Sequence, residues 1–186
     1  MILAAFRWGH HHPNIEALYG AIVAQARTPV FYTRYGVPDT IEGRFELIVL
    51  HLVLLLNRLS RDEAGVRVRQ GRTIGQRLFD RFCRDLDDNL REMGVGDLAV
   101  PRRMRRFGEA FYGRQAAYAA ALAAADPQLL ENALARNIFG IAGADESAAC
   151  MARYTRAAAA QLDGEAADTL ATGNAVFPSP EAFAHA

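Results

Sequence analysis

The sequence contains no lysine. Its 21 basic residues are all arginine and are matched by 21 acids, so the formal net charge is zero. A uniformly basic, nucleic-acid-coating surface is thereby excluded, and no DNA partner is expected. Arginine in place of lysine, together with abundant alanine, reads as GC-rich coding rather than a selected function. Cysteine is nearly absent: Cys83 and Cys150 sit in no CxxC or Cys/His cluster, which excludes a disulfide scaffold and a zinc ribbon. Long apolar runs are missing too. The longest, Leu47 to Leu56, is interrupted by His51 and falls well short of the roughly 20 residues that cross a bilayer. It predicts a buried helix. The N-terminal MILAAFRWGHHHP lacks the basic, then apolar, then cleavable pattern of a signal peptide, so the expected location is the cytoplasm. Ile2, Phe6 and Trp8 form a small apolar cluster there, and His10, His11 and His12 read as a solvated segment rather than a metal site. No dinucleotide fingerprint, P-loop, HExxH or nucleophile elbow occurs. No enzyme activity, cofactor or metal is therefore expected.

What is present is a helical period. Ile15, Leu18, Tyr19, Ile22, Val23 and Ala26 recur at i, i+3, i+4 and i+7, and Pro29 ends that helix. An aromatic connector over residues 29–38 leads to Asp39 or Thr40 as cap of a second long helix, which runs to about Leu59. Residues 60–72, polar and carrying Gly65 and Gly71, predict a loop. Thr73 and Gln76 then have the spacing of a capping box, opening a helix whose stripe is Ile74, Leu78, Phe82, Leu86 and Leu90 and whose stop is Gly94. Pro101 opens a helix with Met104, Phe107, Phe111, Tyr118 and Leu122. Asp126 and Pro127 open another, broken at Gly140 and Gly143. A last long helix spans about Glu146 to Leu162, with a continuation over Glu165 to Leu170. No segment alternates with period two. The expected fold is all-α, a single-domain bundle of about six helices over residues 14–171, between an N-terminal segment (1–13) and an irregular tail (172–186).

The zero net charge is a cancellation. Residues 67–106 carry eleven arginines against six acids, and residues 107–186 carry four against nine. The sharpest feature is Arg102, Arg103, Arg105 and Arg106 near a helix start, where the dipole is also positive. Two readings stay open: pairing with the acids of the preceding helix and the C-terminal segment, or a patch for phosphate of lipid or RNA. Asp85, Asp87, Asp88 and Glu92 form an acidic helix face, expected to pair with Arg81, Arg84 and Arg91. The alternative is a small helical metal-binding or acid–base enzyme using His51 with Asp85, Asp88 or Glu92. For His51 the expectation is a core residue hydrogen-bonded to a neighbour. Cys83 beside Arg84 reads as a small buried hydrophobe, the competing reading being a thiol activated by the arginine.

Several blocks in order resemble one family. They are Tyr19-Gly-Ala-Ile-Val-Ala-Gln-Ala-Arg27, Gly36-Val-Pro-Asp-Thr40 with Gly43-Arg44-Phe45, Leu90-Arg-Glu92-Met-Gly94-Val-Gly96-Asp97-Leu98, and Glu109-Ala-Phe-Tyr-Gly113-Arg114 after a basic run. Together they are similar to the ubiquinol–cytochrome c chaperone family. The resemblance implies an assembly factor for respiratory complex III that helps newly made cytochrome b mature, in mitochondria near the ribosome and with a small partner protein. It marks Asp39, Gly43, Arg44, Phe45, Glu92, Gly94, Gly96, Asp97, Gly113 and Arg114 as motif residues. The expected partner is cytochrome b as an apolar client, with a peripheral contact to the inner face of the cytoplasmic membrane or to the ribosome. An apolar groove rimmed by aromatics would shield such a client. Tyr32, Tyr35, Phe107, Phe111 and Tyr112 are its candidates, because adjacent Phe111 and Tyr112 cannot both enter a core. The arginine run would meet anionic lipid or RNA.

Overall fold

The computed structural model describes residues 12–61 and 65–184, with the side chains of 65–68 left aside. Helix α1 (Pro13–Ala26) leads through the single-turn α2 (Val30–Thr33) to α3 (Ile41–Ser60). Then come α4 (Gly65–Glu92), α5 (Val100–Ala123), α6 (Pro127–Leu134), α7 (Glu146–Gly164) and the short α8 (Ala167–Ala171). No strand occurs among the described residues.

Helix α3 is the axis of an all-α domain. It packs against α1, α4, α5 and α7, and every residue from Val49 to Leu55 is buried, as its apolar circumference predicts. Its start is fixed locally. The Thr40 hydroxyl accepts the Gly43 amide at 3.1 Å, an N-cap bond. The chain folds back so tightly that a Cβ on Gly43 would lie 2.0 Å from the Pro38 carbonyl oxygen. Only glycine fits.

The predicted loop over residues 60–72 is mostly helix. Helix α4 begins at Gly65, and Thr73 lies inside it, its hydroxyl donating to the Arg69 carbonyl at 2.8 Å. Gln76 bonds Asp80 rather than closing a capping box. Glycine weakens an isolated helix by about 1 kcal/mol, but Gly71 and Gly75 are buried here. A Cβ on Gly75 would come within 3.3 Å of Leu56 of α3. Close helix approach decides against local propensity. The same helix stops where expected: Gly94 takes φ +76, its amide bonds the Arg91 carbonyl, and the Val95 amide reaches Leu90, the double bond of a Schellman motif.

Helix α5 starts at Val100, one residue before Pro101. Asp126 and Asp145 cap α6 and α7 through their carboxylates, each bonding an amide at 2.9 Å. After α6 the chain widens into a π-turn (Ala135–Phe139) that ends at left-handed Gly140, φ +67. The tail has a single 3₁₀ turn, Pro180–Ala182, yet it is pinned to the bundle. The Tyr35 hydroxyl donates to the Pro180 carbonyl at 2.7 Å, and Gln25 donates to Pro178 at 3.0 Å.

Candidate functional site

Two aromatic clusters organise the interior. Around His51, the rings of Phe31, Tyr154 and Phe177 lie within 5.7 Å of the imidazole. His51 is fully buried, with Nδ1 2.7 Å from the Leu47 carbonyl and Nε2 2.7 Å from the Tyr154 hydroxyl. A carbonyl only accepts, so Nδ1 carries the proton and Tyr154 donates to Nε2. Gln25 then donates to the Tyr154 oxygen at 3.0 Å. Burial pushes the imidazole down to about 4, so it is neutral at physiological pH. His51 is thus a satisfied core residue. It lies in a different part of the bundle from the α4 acids: Asp85 accepts the Tyr19 hydroxyl at 2.9 Å, and Arg81 bridges Glu16 and Asp85. Arg91 pairs with Asp87 at 2.7 Å. Among the described residues no three His, Cys, Asp or Glu side chains gather as a metal site. Burial raises the Cys83 thiol, and nearby Asp80 adds to the rise, so no activation by Arg84 results.

The second cluster opens to the surface. The first turns of α3, the last turns of α4 and the first half of α5 enclose a cleft of about 370 Å³. Its apolar lining is Ile41, Phe45, Leu86, Leu90, Met93 and Phe107, with the Phe45 and Phe107 rings 5.1 Å apart. Ile41 is 66% exposed and Met93 59%, so the rim is apolar as well. Glu46 and Arg114 also line it. The guanidinium grips the carboxylate through two nitrogens, Nε at 2.6 Å and Nη2, while Nη1 donates to the Ala110 carbonyl at 3.1 Å. Glu46 is only 8% exposed. Burial raises its carboxyl above the ordinary range, against the opposing pull of Arg114.

The five aromatic groove candidates fall in different places. Phe107 lines the cleft. Tyr35 and Phe111 are core residues instead, Phe111 against Phe79 at 4.8 Å. Tyr32 is half-buried, its hydroxyl donating to the Ala26 carbonyl at 2.8 Å beside a polar hollow with Arg27, Asp39 and Arg44. Tyr112 is exposed over a separate shallow hollow with Leu56 and Gln115. A helix turns about 100° per residue, so adjacent Phe111 and Tyr112 face inward and outward respectively.

The motif residues divide similarly. Phe45 and Arg114 build the cleft, and Gly43 sets its α3 wall. Asp39 and Arg44 form an exposed pair at 2.7 Å, of a kind worth little to stability. Gly94 ends α4, the Gly96 carbonyl accepts the Ala99 amide, and Asp97 bonds Arg91. Glu92 and Gly113 are exposed. Arg102, Arg103, Arg105 and Arg106 are exposed, and among the described residues their acid contact is Arg105 to Glu109 at 3.7 Å. Pairing with the acids of α4 or of the C-terminal segment is absent among the described residues; several of those acids have other partners, Asp87 taking Arg91 and Asp163 taking Arg61 at 2.6 Å. Arg106 stands at the cleft mouth.

Sequence reasoning missed Glu46, Ile41 and Met93 as cleft residues. A signal existed for Glu46: an acid one turn into a helix otherwise headed for the core requires a cationic partner. Ile2, Phe6, Trp8, His10 and His11 lie outside the described residues, and His12 directly precedes α1. Among the described residues no helix is long and apolar enough to cross a membrane.

Comparison with known proteins fits the cleft-forming segments. The family model described as ubiquinol-cytochrome C chaperone matches residues 33–177. The crystal structure of the Cbp3 homolog from Brucella abortus superposes with a TM-score of 0.80 at 35% sequence identity, covering 91% of each chain. No curated protein sequence matches. The matched region contains α3, α4 and α5 entire, and with them every wall of the cleft. The chain belongs to the ubiquinol–cytochrome c chaperone family.

Proposed function

We propose that the protein is a non-catalytic assembly chaperone that binds newly made cytochrome b and supports assembly of the ubiquinol–cytochrome c reductase complex. The observation that carries this reading is the open apolar cleft between α3, α4 and α5, combined with family membership. A membrane protein not yet in its complex exposes apolar helix surface. A cleft of about 370 Å³ accommodates a few large side chains from one face of such a helix rather than the whole helix. Phe45, Leu90, Met93 and Phe107 would contact those side chains, and the Glu46–Arg114 pair would meet any polar group carried with them.

The test is genetic and biochemical. Deleting the gene should lower assembled complex III and cytochrome b haem, with other respiratory complexes intact. Restoring the gene with Phe107→Glu should leave a folded protein that no longer co-purifies with cytochrome b. Unchanged cytochrome b haem in the deletion strain would sink the proposal.

A further inference from the structure

The connection between α4 and α5 has a surface that client binding in the cleft does not use. Leu98 is 94% exposed. It sits just before the α5 cap residue, Ala99, a position whose apolar side chain ordinarily packs on the fifth residue of the capped segment. That residue is Arg103, so Leu98 has no apolar partner along its own helix. Four residues after Leu98 begins the run Arg102, Arg103, Arg105 and Arg106, all exposed, and residues 98–108 contain no acid. Arg91 is shared between Asp97 and Asp87, so Asp97 and the exposed Glu92 are the opposing charges nearby in sequence. The α5 start has no side-chain cap, and Pro101 has no amide hydrogen to offer.

We propose that this end of the bundle rests on the surface of an anionic phospholipid bilayer. Leu98 would enter the headgroup boundary while the four arginines meet lipid phosphates. Interfacial anchors combine these two features, apolar side chains projecting from a basic face. RNA would engage the arginines equally well but would leave Leu98 idle, since a phosphate backbone offers it no apolar contact. The fully projecting leucine therefore favours lipid. The contact would be made by exposed side chains of this surface and needs no membrane-crossing helix. It stands independently of what the cleft binds.

The test uses the purified full chain without any client. Flotation should recover it with phosphatidylcholine vesicles containing phosphatidylglycerol and not with phosphatidylcholine alone, and recovery should fall as salt rises. Each arginine replaced by glutamine should weaken binding about fivefold, and Leu98→Ser about tenfold. Thermal unfolding should be unchanged in both cases, because these side chains are exposed. In a Trp8→Phe background, Leu98→Trp should shift its fluorescence to the blue on adding anionic vesicles. Absence of that shift, or Leu98→Ser binding vesicles as tightly as the parent, overturns the proposal. So does salt-sensitive binding to RNA without binding to vesicles, which would assign the patch to RNA. A failed cytochrome b pull-down with intact vesicle binding would count against the client reading alone.

Discussion

The Glu46–Arg114 pair offers the sharpest test of how the cleft is held open. Arg114→Met removes the two guanidinium bonds to a carboxylate that is only 8% exposed. Removing one partner of a buried pair costs about 3–5 kcal/mol, because the remaining charge is stranded. Glu46 escapes part of that cost by taking a proton. If it is neutral throughout the folded state, the penalty at a given pH is that of protonating an ordinary glutamate, whose reference pKa is about 4.3. This gives about 3.7 kcal/mol at pH 7 and about 1.1 kcal/mol at pH 5. The sign is that of an acid whose folded pKa lies above its unfolded one. The folded state binds more protons, so stability falls as pH rises. In the parent, burial already raises the Glu46 carboxyl, so the same slope is present to a smaller extent. Urea denaturation of parent and Arg114→Met at pH 7 and pH 5 should show the difference between them narrowing by up to about 2.6 kcal/mol at the lower pH. A difference independent of pH would refute the reasoning, since loss of packing or of the Ala110 bond does not titrate. Because the carboxyl is raised rather than lowered, the pull of Arg114 does not fully offset the desolvation of Glu46. Glu46→Leu with Arg114→Met should then be close to the parent in stability.

Two further expectations concern the scaffold. Gly43→Ala places a Cβ 2.0 Å from the Pro38 carbonyl oxygen; backbone must move, and differential scanning calorimetry should show a loss of roughly 3 kcal/mol or more, about 10 °C in Tm. His51, held at about 4 by burial, is neutral when folded and takes up a proton more readily when unfolded. Stability tied to it is complete above pH 6.5 and is lost as pH falls toward 4, by about 3 kcal/mol. His51→Leu should be weaker at pH 7 and lack that loss in a pH series of denaturation midpoints.

Helix ends were legible wherever a local device sets them. Thr40, Asp126 and Gly94 satisfy backbone groups within a few residues, so their signal is contained in the sequence itself. The start of α4 was not legible for the opposite reason. Gly65 and Gly71 read as breakers locally, yet α4 runs through a buried Gly71, and the close approach to α3 at Gly75 lies across the interface, outside any local signal. The candidate site shows the same division. That aromatics near residues 107–112 would matter followed from composition, but which of them faces the cleft depends on the rotation of α5 against α3 and α4. Phe111 and Tyr112 differ by one position and end in the core and in solvent. The arginine run was legible as charge, whereas its pairing with Glu109 alone, and not with the acids of α4 or the C-terminal segment, depended on where those acids fold.

The blocks that resemble the family make sense once they are joined in space. Gly43 lets α3 begin tightly, which sets Phe45 and Glu46 at the cleft one turn later. Gly94 stops α4 and turns the chain, so that α5 returns with Phe107 facing Phe45 and Arg114 reaching Glu46. An apolar slot of this size would gain by closing on itself when empty. A charged pair in its lining opposes that collapse, because closing would strip the remaining water from both ions. The near-neutral energetics of the pair are therefore what a receptive cleft requires, with openness rather than stability as the property maintained. On this argument Glu46→Leu with Arg114→Met keeps the fold but lets the slot beside the Phe45–Phe107 pair fill in, and its loss is expected in client binding alone.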